Sequence, residues 1–316
     1  MPAGLCAVIL AGNLFTSAWR ALIEPLLLRC PVLAKASSDD NVFPMLIKEA
    51  LESVAPWLAE ALTVTTFKGG DVTVESELFE ISNVVSAYGN DQTIASIQKR
   101  LPVTTRFLPH GHGVGVAFIS QESISNQHAL ETTCDALALD IAAYDQRGCM
   151  SPCGVWVEEG GAYNAHDVCQ VLATRSLPAI SRSLPRGTLD LDAAAAELQW
   201  RAVASVQGKL WRGDDFAICY EQSSSVLRST PGYRNISVWP CHALETFIDT
   251  LTRFGTHLKT LGVGGEFTTR HHMAFRLPAP LTPRICPLGT MQTPPLDYCS
   301  DGSLPSLGYL RFVEIQ

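Results

Sequence analysis

The sequence predicts an α/β chain in which a parallel sheet, covered by helices on both faces, leads into a second α/β domain. Three observations carry that expectation. The 316 residues exceed what one ordinary domain takes. Hydrophobic residues make up 47% of the chain against 17% charged, the balance of a globular enzyme and not of a disordered or repetitive protein. The first third alternates short apolar runs with helix-like segments.

The alternation reads in order. Leu5–Leu10 is a strand before a helix over Thr16–Leu28, and Pro31–Lys35 a strand before Phe43–Ala61. Leu62–Phe67 precedes Val74–Ile81, and Val84–Ala87 precedes a helix near Thr93–Leu101. Such β-α alternation builds a parallel sheet, and these sheets bind ligands at the carboxyl ends of their strands. The residues just past those ends therefore carry weight: Gly12-Asn13, Lys35-Ala36-Ser37-Ser38, Lys68-Gly69-Gly70 and Tyr88-Gly89-Asn90-Asp91. Phe107–Ile119, broken by His110-Gly111-His112-Gly113-Val114-Gly115, reads as the crossing between domains. The expected division is a first domain over 1–120, a second over 121–290 and a tail over 291–316.

In the second domain an Ala/Leu-rich helix over Ala129–Tyr144 stops at Arg147-Gly148 and gives way to a strand at Val155–Val157. Cys149 falls in the turn between them. Val168–Leu177 and Leu191–Val206 read as helices, Phe216–Tyr220 and Ile236–Trp239 as strands, Ala243–Leu258 as amphipathic, and Arg284–Gly289 as a short strand and turn.

Composition removes several function classes. A formal charge of −8, with 23 Lys and Arg spread along the chain, gives no field for a phosphate backbone, so nucleic acid is not an expected partner. No run of about 18 apolar residues predicts a membrane span. The stretch around Leu5 to Leu14 lacks a basic leader and reads as a buried strand. The ten cysteines sit singly in apolar surroundings, which favours a reducing cytoplasm. Cys149 and Cys153 are the nearest pair, and no second pair at ligand spacing accompanies them. His271-His272 and Glu158-Glu159 are adjacent side chains that diverge, so no metal site is expected.

Cys149 stands apart from the other thiols. It follows Gly148, which permits close backbone approach, and precedes Ser151-Pro152, which stops any helical continuation. A cysteine at such a turn can meet backbone N–H groups that stabilise a thiolate, and Arg147 adds positive potential. A small buried hydrophobe is the other reading of any single cysteine.

The run Asp140-Ile141-Ala142-Ala143-Tyr144-Asp145-Gln146-Arg147-Gly148-Cys149-Met150-Ser151-Pro152, followed by Val155-Trp156-Val157-Glu158, resembles the active-site signature of LuxC-type acyl-CoA reductases, the fatty-acid reductase component of bacterial luminescence. Gly12-Asn13-Leu14-Phe15, Val32–Asp40, Ala87–Asp91 and Cys286–Gln292 match in the same order. The resemblance implies an aldehyde dehydrogenase-like fold: a parallel Rossmann-type cofactor domain plus an α/β catalytic domain that carries the nucleophilic cysteine. It implies NADPH-dependent reduction of a fatty-acyl thioester, acyl-CoA or acyl-protein, to the aldehyde through an acyl-cysteine. An acyl-protein synthetase partner and a homo-oligomer are further implications.

The same resemblance distributes roles. Asn13 would join the backbone N–H of Cys149 in an oxyanion hole; an N-cap for the following helix is the structural alternative. Lys35 would contact the adenosine ribose or its phosphate. Ser38 stands where many NAD-preferring relatives carry a glutamate that repels a 2′-phosphate, which favours NADP(H). Gly89 and Asn90 would support the pyrophosphate, unless Asn90 only caps its helix. No acidic residue occurs between Asp91 and Glu122, the stretch where hydrolytic aldehyde dehydrogenases carry the glutamate that activates water. That departure suits a reductase, with His112 as a candidate proton donor.

Proteins of this family are normally longer, so an upstream portion is expected to be absent from the chain. Two other functions stay open on sequence: an inactive relative acting as a binding or scaffold protein, and a cysteine-dependent acyltransferase or thioesterase.

Overall fold

The computed structural model describes residues 1–12, 14–223 and 229–315. The chain divides into two compact units, Met1–His112 with Leu296–Gln316, and Gly113–Pro295.

Among the described residues, the first unit carries a five-stranded sheet of β1 (Cys6–Ile9), β2 (Val32–Lys35), β3 (Leu62–Thr65), β4 (Val84–Tyr88) and β5 (Arg106–His110). The spatial order is β3-β2-β1-β4-β5 and every pairing is parallel. The order reverses between β1 and β4, so the crevice for a ligand opens past their carboxyl ends. The strands are short apolar runs because both faces are covered. Cys6, Val8, Val32 and Ala34 join one core cluster, whereas Ala7, Ile9, Val85 and Ala87 join the other.

The last residues correct the expected tail. Residues 296–316 return to the first unit. Tyr309 is buried, its hydroxyl donates to Ser86 Oγ at 3.2 Å and its carbonyl accepts from Ala3 N at 2.9 Å. Arg106 donates to the carbonyls of Leu307, Gly308 and Leu310 at 3.3, 2.7 and 2.5 Å. Three donors, the Tyr309 hydroxyl, Ala3 N and Arg106 Nη1, and one aromatic ring anchor a segment that has no apolar periodicity of its own.

The second unit carries a seven-stranded sheet of β6 (Val114–Ile119), β7 (Pro152–Glu158), β8 (Lys209–Arg212), β9 (Ala217–Tyr220), β10 (Asn235–Cys241), β11 (Leu258–Gly264) and β12 (Arg284–Pro287). Its order is β12-β11-β6-β7-β10-β9-β8, parallel except for the hairpin of β8 with β9. The domain boundary consequently lies before β6 and not near residue 120, because β6 pairs on both sides within this second sheet. One face packs on the helices Gln127–Ala142 and Ala165–Val171, through Leu137, Ile141, Val168 and Cys169. The other face is an aromatic cluster of Trp156, Trp239, Phe118 and Phe247. The Trp156 and Trp239 rings lie 4.5 Å apart, next to Gly154, where any Cβ would strike the Trp239 ring at 2.5 Å.

Tyr309→Ala is expected to cost about 3–5 kcal/mol, the range for removing a buried aromatic ring. Urea titration measures it, and native-state labelling of Cys30, whose thiol donates to the Tyr309 carbonyl at 3.2 Å, reports the local opening.

Candidate active site

The helix Gln127–Ala142 runs into a 3-10 turn at Ala143–Gln146, and Cys149 sits in the loop between that turn and β7. Cys149 and Cys299 are the exposed members of the ten thiols. Burial pushes the Cys134 and Cys153 thiols up to about 12, which makes them inert near neutrality. The loop closes on itself: Ser151 N donates to Gly148 O at 3.0 Å, and Gln146 Nε2 donates to Pro152 O at 2.7 Å.

The strain ahead of the cysteine falls on Tyr144, Asp145 and Gln146, with φ of 53°, 52° and 61°. Gly148 is not among the left-handed residues. Three consecutive side-chain-bearing residues in the left-handed region cost roughly 1–2 kcal/mol each and persist only where their surroundings hold them. Arg234 does this. It is buried, and its Nε and Nη2 donate to Asp145 Oδ1 at 3.0 and 2.7 Å. Its remaining donors reach Asp215 Oδ2 at 2.8 Å, Ser181 Oγ at 3.1 Å and Leu184 O at 2.8 Å. Tyr233 N adds a bond to Asp145 O, and Gly187 N one to Asp145 Oδ2, both at 2.8 Å. A rigid fork bonded on all sides is what lets a buried guanidinium fix a backbone turn.

Two glycines bring β6 against the cysteine loop. A Cβ on Gly115 would meet Ser151 O at 2.7 Å and collide with Met150 O. A Cβ on Gly113 would lie 3.1 Å from Cys149 Cβ and would also run into the stem of Lys259. Arg147, the cation expected beside the thiol, lies over the Tyr233 ring at 5.9 Å.

The other side of the loop is held from β12. Buried Asp140 accepts from Gly289 N at 2.6 Å and Met291 N at 3.0 Å, fixing the turn that presents Gln292. Gln292 Nε2 then donates to Ser151 Oγ at 2.8 Å, and its Oε1 lies 2.9 Å from where a Cβ on Gly148 would sit. Gly148 is therefore required for closeness and not for a left-handed turn. Burial raises Asp140 to about 7, opposed by its two backbone N–H donors and by Arg284.

In the first unit, Lys35 is the last residue of β2, buried, with Nζ 5.6 Å from the Phe67 ring centre. Ser38 is exposed and its hydroxyl donates to Asp39 Oδ1 at 3.4 Å. Gly12, past β1, is packed by the same loop: a Cβ there would meet Ser37 Oγ at 2.5 Å and Asp39 Cβ at 2.7 Å. Asn90 caps the helix Asp91–Gln98 by accepting from Thr93 N at 2.9 Å, and Gly89 lets that turn close over Thr93. His112 is exposed, and its backbone N donates to Asp91 Oδ1 at 3.2 Å. Asn13 lies outside the described residues. Lys35, Ser38, Gly89, Asn90 and His112 thus belong to the first unit and Cys149 to the second.

The remaining titratable pairs are structural. Glu158 accepts from Gln121 N and Glu159 from Ala165 N, both at 3.0 Å. His272 accepts from Arg276 while His271 packs against Phe275. Among the described residues, no group of His, Cys, Asp and Glu is arranged to hold a metal, and no helix is long and apolar enough to cross a membrane.

The family described as acyl-CoA reductase (LuxC) matches residues 1–304. The chain belongs to that family. No curated protein matches it in sequence. Among solved structures, an aldehyde dehydrogenase from Brucella melitensis biovar abortus 2308 is similar with a TM-score of 0.75 and 16% identity, over 98% of this chain and 68% of its own. Aldehyde dehydrogenase 21 from Physcomitrella patens, solved with succinate, gives 0.72 and 11% identity over 98% and 68%. An NADP-dependent enzyme of E. coli gives 0.71 and 17% over 98% and 69%. The LuxC-family chain therefore has the aldehyde dehydrogenase fold and spans about two thirds of the length of these structures.

Arg234, Asp140 and Gln292 are the residues of this LuxC-family site that sequence reading does not single out. An acid in the apolar helix beside Leu137, Ala138 and Ile141 is the one visible signal, and it points to Asp140. Arg234→Met is expected to destabilise the second unit by about 3–5 kcal/mol, since it leaves Asp145 and Asp215 without their cation. Denaturant titration measures the loss, and mass-resolved iodoacetamide labelling should show altered reactivity at Cys149. For Asp140, whose folded value lies above that of the unfolded chain, the protonated form stabilises the fold. That contribution is full below about pH 4 and is lost as pH rises through about 7. The melting temperature of Asp140→Asn should consequently gain on that of the unaltered chain as pH rises across this window; a constant difference would refute the assignment.

Proposed function

We propose that the chain reduces fatty-acyl thioesters, acyl-CoA or acyl-protein, to aldehydes, with NADPH as reductant and Cys149 as acyl carrier. The observation that carries this reading is the exposed Cys149 thiol on a strained loop fixed by Arg234 and lined by Gly113 and Gly115. Gly113 and Gly115 leave no room for a side chain, so no carboxylate grows from these two positions to activate water. An acyl-cysteine protected in this way survives until it is reduced.

The cofactor assignment rests on the first unit. The β1/β4 reversal, the glycines at 12 and 89 and the start of the helix Asp91–Gln98 beside them suit a dinucleotide. Lys35 at the end of β2 supplies a positive charge for a ribose phosphate. Ser38, which hydrogen-bonds to the adjacent Asp39, stands where many NAD-preferring relatives carry a glutamate, and that difference supports NADPH by the family resemblance. A bound nicotinamide supplies the hydride. The Cys149 sulfur attacks the thioester carbon, the carbon–sulfur bond of the donor breaks, and the departing thiolate takes the electron pair and then a proton. After reduction the carbon–sulfur bond to Cys149 breaks as the aldehyde leaves. Asn13 and the Cys149 backbone N–H are assigned to the oxyanion, and His112 to proton transfer, by the family resemblance. An acyl-donating partner enzyme, a homo-oligomer and a reducing cytoplasmic setting for ten thiols belong to the same reading.

Mixing the protein with a long-chain acyl-CoA and no nicotinamide should release CoA and leave one acyl group on Cys149, detected by intact-mass and peptide mass spectrometry. Adding NADPH should discharge it as aldehyde, faster than NADH does. Acylation retained after Cys149→Ala would remove Cys149 from the role, and discharge as fatty acid would make the chain a thioesterase.

A further inference from the structure

Lys259 occupies an irregular place in the second sheet. β11 pairs with β6 through Leu258 opposite Val114 and Thr260 opposite Gly115, so Lys259 is the extra residue where the register shifts. Bulges of this kind redirect one side chain out of the alternation and recur beside active sites. Its neighbours Leu258 and Thr260 are buried in the sheet, while Lys259 itself is half-buried.

The glycine at 113 shows where that side chain goes. The point a Gly113 Cβ would occupy lies 3.1 Å from Lys259 Cε and 3.1 Å from Cys149 Cβ, with Lys259 Cγ closer still. The two carbons can thus be no further apart than twice that distance. The ammonium is one bond beyond the first and the sulfur one bond beyond the second. The lysine stem thus passes the Gly113 backbone on the side where Cys149 Cβ also lies.

We propose that Lys259 is a positioning residue for catalysis: its ammonium holds Cys149 as the thiolate that attacks the acyl donor. This deepens the reading of Cys149 as acyl carrier and rests on it. A cation within about 4–6 Å favours the charged form of its neighbour, and partial burial strengthens the effect relative to open water. The thiol proton goes to solvent as the thiolate forms, and Lys259 keeps its own protons throughout. The other charged groups of the unit near this point are otherwise engaged. Arg147 lies over Tyr233, Arg284 donates to the carbonyls of Thr290 and Met291, and Asp140 accepts from Gly289 and Met291. His257 precedes the bulge in an exposed turn. Gly113 is then explained twice, since any side chain there would displace both the lysine stem and the cysteine.

The test reads the thiolate directly, without turnover. Iodoacetamide alkylation of Cys149 is followed by peptide mass spectrometry from about pH 6 to 10, with exposed Cys299 of the first unit as an internal reference. Lys259→Met is expected to slow alkylation of Cys149 at neutral pH by about 5–10-fold and to move its pH midpoint up by about one unit, a change of that size following from a tenfold loss of thiolate. Lys259→Arg should restore most of the rate, and Cys299 should not change. Lys259→Gln, which keeps the stem and a polar end, is measured beside them so that a packing defect in the Met variant does not decide the result. An unchanged Cys149 profile in a folded Met or Gln variant overturns the proposal, as does an equal shift at Cys299. Absence of acyl transfer to Cys149 together with the expected alkylation shift would instead overturn the acyl-carrier reading and leave the lysine–thiolate pair standing.

Discussion

The second unit depends on one buried guanidinium. Arg234 fixes Asp145 with two bonds to a single carboxylate oxygen, and that residue is the centre of three left-handed residues that deliver the chain to Cys149. The backbone conformation is unfavourable by itself and has no glycine to relieve it. It survives because every donor of Arg234 is placed, on Asp145, Asp215, Ser181 and the Leu184 carbonyl. Those partners come from three separate stretches of chain, so the turn forms only when the unit has folded around it. The Cys149 thiol that follows this turn is exposed.

The rest of the site is built by close approach. Gly113 and Gly115 let β6 run against the loop from one side, and Asp140 presents Gln292 to Ser151 from the other. The lack of a side chain at Gly113 and Gly115 is as consequential for the loop as the cysteine itself, and at Gly113 it leaves room for the stem of Lys259.

Much of the first unit was legible because its strands are buried on both faces and read as unbroken apolar runs. The four strands expected there are β1 to β4, each within a residue or two of its place. β8 was not legible: Lys-Leu-Trp-Arg is a four-residue edge whose ends are exposed and which pairs only with β9. β11 was hidden by the amphipathic stretch before it, because the helix stops at Thr252 and the sequence carries no proline to mark the break before Leu258. The boundary is hard to read because the glycines of 111–115 look like a linker, whereas in the fold Gly113 and Gly115 belong to the second unit and press on the cysteine loop. The tail looks separate in sequence because, apart from Tyr309, it is anchored by carbonyls that accept from Arg106, which leave no trace in a hydrophobic pattern.

For the site, sequence draws attention to Cys149 and expects close approach at Gly148, where the structure packs Gln292. The left-handed residues, Tyr144, Asp145 and Gln146, carry no signal in the sequence. The reason is long-range. Asp145 is 89 residues from Arg234 in sequence, and no local propensity records a partner at that distance. The same separation explains Arg147, whose proximity to Cys149 in the chain suggested an electrostatic role. Once Tyr233 is brought beside Asp145 by the backbone bond between them, its ring offers the guanidinium a face, and Arg147 takes it. A bulge is the device that frees a lysine from the alternation of a buried parallel sheet, and β11 has one at Lys259, opposite Val114 and Gly115.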